Sequence, residues 1–75
     1  MEMNMSDGLR VIDFTDSREG TEVLVQLQSV FKRAGKYAEC PVHGVLVIRR
    51  EDTSSFQEEV AKLPAEDQER VDIRD

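Results

Sequence analysis

Cys40 stands three residues ahead of His43 in "AECPVHGVLVIRR" (38–50), and they are the only cysteine and the only histidine in the chain. A thiolate and an imidazole are zinc-ligand types, and a thiol beside an imidazole is also half of a nucleophilic pair. Neither chemistry is complete here. A tetrahedral zinc site takes three or four ligands, commonly two such pairs. Redox chemistry calls for a second cysteine or a helix N-terminus to hold the thiolate, yet an apolar β-prone run follows. A nucleophile also needs a third group to orient its base. The expectation is a structural turn shaped by Pro41 and Gly44, with Cys40 a small, partly buried side chain.

Asp13 and Asp16 lie in "DFTDSREG", where a strand gives way to a helix. A magnesium ligand or phosphate site could occupy such a place. One glycine between acids lacks the glycine spacing of a phosphate-binding loop, and helix capping explains the same residues. No catalytic, cofactor-binding or metal-ligating residue is assigned. No nucleophile, base and orienting group converge, so a non-enzymatic chain without cofactor or small-molecule substrate is expected.

The surrounding composition agrees with that. With 16 acidic and 10 basic residues the net charge is −6, which works against non-specific binding to phosphates. Nucleic acid would have to meet a local basic group, and Lys32, Arg33 and Lys36 are the candidates. The core must be aliphatic, since there are three Phe, one Tyr and no Trp. No apolar run approaches the ~20 residues of a membrane helix. "MEMNMSDG" has neither the basic nor the apolar region of a secretory leader. A single cysteine fits a reducing cytoplasm.

These residues must be positioned by a short series of elements. Residues 1–8 read as a flexible lead-in, 9–63 as one small domain, and 64–75 as an acidic C-terminal segment. "LRVIDF" (9–14) is a strand by its β-prone run. Val23, Leu24, Leu27, Val30, Phe31 and Ala34 form one helical stripe. The spacing predicts a helix of about five turns, with Asp16 and Glu19 as a capping-box pair and Gly35 as its stop. "VLVIRR" is a second strand. "EDTSSFQEEVAKLP" is a shorter helix, with Phe56, Val60 and Leu63 on one side and Ser54–Gln57 or Ser55–Glu58 as its cap. Val71 and Ile73 alternate as an edge strand would.

The predicted fold is therefore α/β or α+β: a two-layer sandwich in the order strand, helix, strand, helix and a further short strand. Two helices would cover one face of a sheet of two to four strands. An intervening helix implies a right-handed crossover between the two main strands. In an alternative, "KYAEC" pairs with "VLVIRR" as a hairpin through "PVHG", and the sheet is then mixed or antiparallel.

One physical difficulty points to function. Both main strands are apolar on two faces, while two helices cover only one. The other face must meet a second copy or a different protein. The expected contact residues are Val11, Phe14, Val45 and Val47 on the sheet, with Phe56, Val71 and Ile73 toward the C-terminus.

Two family resemblances accompany this pattern. "DFTDSREGTEVLVQLQSVFKRAGK" resembles the strand-to-helix turn of STAS-type anti-sigma-factor antagonists, with Ser17 matching their phosphorylated serine. It departs from them in having Arg18-Glu19 before Gly20. The order of "RVIDFTDSRE" and "HGVLVIRREDTSSFQEEV", and the length, resemble the N-terminal domain of prevent-host-death-type antitoxins. That second likeness implies a dimer that binds operator DNA and uses residues 56–75 against a toxin. The leading expectation is a cytoplasmic interaction module that regulates or inhibits a larger protein, with homodimerisation. The alternatives are an antitoxin-like repressor, or a phage or mobile-element inhibitor whose acidic surface imitates nucleic acid.

Overall fold

The computed structural model describes residues 8–74. The expected lead-in lies outside the described residues apart from Gly8, whose carbonyl accepts from the Arg50 N–H at 3.0 Å. Strand β1 (Leu9–Phe14) leads into helix α1 (Arg18–Arg33). A hairpin of β2 (Ala38–Val42) and β3 (Val45–Arg49) follows, then a 3₁₀ turn (Arg50–Asp52) and helix α2 (Thr53–Ala61). The one-turn helix α3 (Ala65–Gln68) and strand β4 (Val71–Arg74) complete the order.

The turn into α1 is tight. The Ser17 N–H donates to the Thr15 carbonyl at 2.8 Å, and Ser17 becomes the N-cap in extended conformation. Its Oγ accepts from the Gly20 N–H at 3.0 Å. This corrects the expected Asp16–Glu19 box: Asp16 falls one residue outside the helix, with its side chain 96 % exposed. At the other end, Gly35 takes φ 76° and donates to the Lys32 carbonyl at 3.0 Å. The Lys36 N–H reaches the Phe31 carbonyl at 2.9 Å, closing a Schellman cap.

The second helix starts differently from its expected boxes. α2 begins at Thr53, whose Oγ1 donates back to the Arg50 carbonyl at 2.6 Å across the 3₁₀ turn. Neither Ser54 nor Ser55 is the N-cap. The 3₁₀ turn moves the helix start ahead of the serines.

The four strands form one sheet in the order β2-β3-β1-β4, with every neighbouring pair antiparallel. The expected crossover between the two main strands is thereby corrected. β1 and β3 pair directly and antiparallel, because β2 reverses the chain first. His43 and Gly44 make the hairpin turn, with Gly44 at φ 82°. Since both flank β3 antiparallel, β1 and β2 run parallel with β3 between them, a split βαβ arrangement.

The core sits between this sheet and the helices. Ile12 and Phe14 of β1, Leu46 and Ile48 of β3 and Ala38 of β2 meet Val23, Leu24, Leu27 and Phe31 of α1. Phe56 of α2 joins them, its ring edge-on to Phe31 at a centroid distance of 5.7 Å. Val60, Leu63, Val71 and Ile73 pack around the margin. Gln28 donates to the Ala38 carbonyl at 3.1 Å and ties α1 to the outer strand. This is the two-layer α+β architecture that the pattern of elements predicts, with the acidic segment built into the sheet as β4.

Candidate functional site

The alternation of β1 and β3 decides which side chains meet solvent. Ile12, Phe14, Leu46 and Ile48 take the helix side, so their neighbours along the strands take the other. The register aligns Leu9 with Arg49, Val11 with Val47 and Asp13 with Val45. The same open face carries Glu39 opposite Val47 and Val42 opposite Val45. On β4 it carries Asp72 opposite Asp13 and Arg74 opposite Val11.

The middle of this face is apolar. Leu9 is 48 % and Val11 40 % exposed, and Val42 is 59 % exposed. Val45 and Val47 are half-buried. Charged groups frame them. Arg74 donates to the Asp13 carboxylate at 2.6 Å and approaches Asp72 at 3.7 Å. The Arg49 guanidinium lies over the Tyr37 ring, 5.4 Å from its centroid.

The expected contact residues divide sharply. Val11, Val45 and Val47 share the open face. Phe14 and Phe56 do not: at 7 % and 0 % exposure they belong to the core, and that corrects their assignment to a contact surface. Phe14 has the parity of Ile12, so it faces the helices; Phe56 is the inward residue of α2. Val71 and Ile73 are half-buried on the core margin, pairing with Phe14 and Ile12. Missed by sequence reasoning were Leu9, Tyr37, Val42, Glu39, Asp13, Asp72 and Arg74. Period-two counting from Val11 would have found the β1 members Leu9 and Asp13, whereas the others needed the tertiary structure.

Lys32, Arg33 and Lys36 do gather at the end of α1. Lys36 lies 3.9 Å from Asp52, which offsets one of the three charges.

Cys40 and His43 stay apart from any built site. Cys40 is exposed, not partly buried as expected, and its Sγ lies 3.2 Å from the Val42 carbonyl oxygen. Its strand is the sheet edge. His43 Nε2 is 3.7 Å from Asp16, and both are on the surface. Ser17, the residue matched to a phosphorylated serine, is engaged as the helix cap. Among the described residues no cluster of three His, Cys, Asp or Glu could hold a metal ion, and no pocket is found. No helix among them is long and apolar enough to cross a membrane.

Comparison with protein-family models, with curated proteins and with solved structures returns no match for this chain.

Proposed function

We propose that this chain is a small protein-interaction module that docks a protein on the open face of its sheet and acts by binding rather than by catalysis. A single observation carries the reading: the central strands present Leu9, Val11, Val45 and Val47 on a face that no helix among the described residues covers. Scattered exposed aliphatic residues are ordinary, but a contiguous apolar patch rimmed by charges marks an interaction site. The face also suits recognition in its layout. Its apolar centre is desolvated on docking, while the rim charges set orientation. The blunted β2 edge favours the face over strand addition on that side, because Pro41 and a register irregularity between Glu39 and Val42 interrupt its ladder.

Val47→Asp tests this directly. The side chain is half-buried on the open face, so a carboxylate there leaves the helix-side core in place. Self-association and native affinity capture are compared with wild type, with circular dichroism confirming the fold. Loss of association in the folded variant supports the reading. Full retention of every association would sink it.

A further inference from the structure

Building on the reading that the open face meets protein, we infer that its occupant is a second copy of this chain. The copies stack sheet on sheet about a two-fold axis running along the strands, midway between β1 and β3. The argument is the order of charge across the sheet. The register sets Glu39, Val47, Val11 and Arg74 in one row across β2, β3, β1 and β4. That row reads acid, apolar, apolar, base. Strands lie ~4.8 Å apart, so the backbones of Glu39 and Arg74 are about 14 Å from each other with the valines between.

A half-turn about an axis along the strands at the middle of this row exchanges β1 with β3 and β2 with β4. Val47 then lies over Val11 of the second copy, and Glu39 over its Arg74. Both contacts occur twice, as an isologous interface requires. A half-turn about an axis across the strands instead sets Glu39 on Glu39 and Arg74 on Arg74, which like-charge repulsion disfavours. The row is thus self-complementary under one in-plane rotation and not the other. Both rotations give the aligned arrangement in which two sheets ordinarily pack, about 30° apart, so the order of charge chooses between them.

The neighbouring rows carry no such complementarity, and the row of Glu39 and Arg74 alone sets the rotation. Arg49 passes over Leu9 of the second copy, where its aliphatic stem covers the leucine. Val45 passes over Asp13 and Val42 over Asp72, two carboxylates that Arg74 engages within its own chain at 2.6 Å and 3.7 Å. Arg74 therefore faces its own Asp13 and the other copy's Glu39 together. The contact is only four short strands wide, below the ~800 Å² per partner of a standard interface. A dissociation constant on the order of micromolar is expected.

Charge reversal with rescue by mixing is the test. Sedimentation velocity is run on wild type, on Glu39→Arg, on Arg74→Glu and on an equimolar mixture of the two variants, with thermal melts confirming each fold. Wild type should dimerise, and each reversal should weaken the dimer at least about tenfold by setting like charges together twice. The mixture should recover a dimer, because one chain of each kind restores opposite charges at both contacts. Should Arg74→Glu fail to fold beside Asp13 and Asp72, Arg74→Ala replaces it and should weaken the homodimer alone. Reversals that dimerise like wild type, or a mixture that stays monomeric, overturn the two-fold. A wild type monomeric at about 100 µM overturns the second copy while leaving partner docking to the Val47→Asp test. A dimer indifferent to Val47→Asp overturns the second copy on this face, and unchanged affinity capture in the same variant would remove both readings.

Discussion

The ring of Phe56 meets that of Phe31 edge-on, with centroids 5.7 Å apart and planes at 79°. This contact helps to fasten the short α2 to the long α1, and both rings are essentially inaccessible to solvent. An edge-to-face pair adds about 0.5–1.5 kcal/mol beyond the burial of its area.

Phe56→Ala is expected to cost about 3–5 kcal/mol, because it removes a large buried side chain and leaves a cavity. For a domain this small that approaches the whole stability. Urea denaturation followed by circular dichroism should find the variant largely unfolded at room temperature, and Phe56→Leu folded with a lowered midpoint. A shift in Phe56→Ala no larger than that of a surface substitution would contradict the packing described.

Gly20 should resist a substitution that usually stabilises helices. Alanine is favoured over glycine by about 1 kcal/mol inside a helix. Here a Cβ would collide with the Thr15 backbone carbonyl. The carbonyl is held, since it accepts from the Ser17 N–H at 2.8 Å. Gly20→Ala should therefore destabilise, by about 1–3 kcal/mol as overpacking does. A raised melting temperature would show that the turn relaxes freely.

The caps can be separated by paired substitutions. Ser17→Ala should lose about 1 kcal/mol, the ordinary cost of an N-cap, and lower the melting temperature by about 4–8 °C. Asp16→Ala, one residue earlier and solvated, should change stability by less than about 0.5 kcal/mol. Equal effects at the two positions would mean that the cap is shared.

Cys40→Ser and His43→Ala should each leave stability within about 0.5 kcal/mol of wild type, as surface substitutions away from packed features do. Cys40 is exposed and His43 lies in the hairpin turn. Dimerisation or partner binding should be unchanged in the same samples. A large loss in either would return the pair to consideration as a site.

Local chemistry made much of this protein legible from its residues. The stripe from Val23 to Phe31 specified α1 and its buried side, because helical periodicity and burial obey the same spacing. Gly35 marked the end of α1 for the same local reason, being able to adopt the positive φ that the cap needs. The two-sided apolarity of "RVIDF" and "VLVIR" already implied a face that two helices leave uncovered. The capping residues were less accessible: Asp16, Ser17, Ser54 and Ser55 are all competent caps, and the backbone path of the preceding turn chooses among them.

The tertiary structure alone decided which side of each strand faces the helices. Parity along a strand is fixed by its backbone, but its phase follows only from packing against a partner. When both sets of side chains are apolar, the sequence carries no contrast to set that phase. Hence Phe14 went inward with Ile12, and Val11 outward with Val47. The antiparallel order β2-β3-β1-β4 was likewise settled by pairings between residues distant in the chain. Those pairings bring Glu39 and Arg74 into one row with two valines between them, a relationship absent from any local stretch of sequence. "AECPVHG" proved to be an edge strand and its turn.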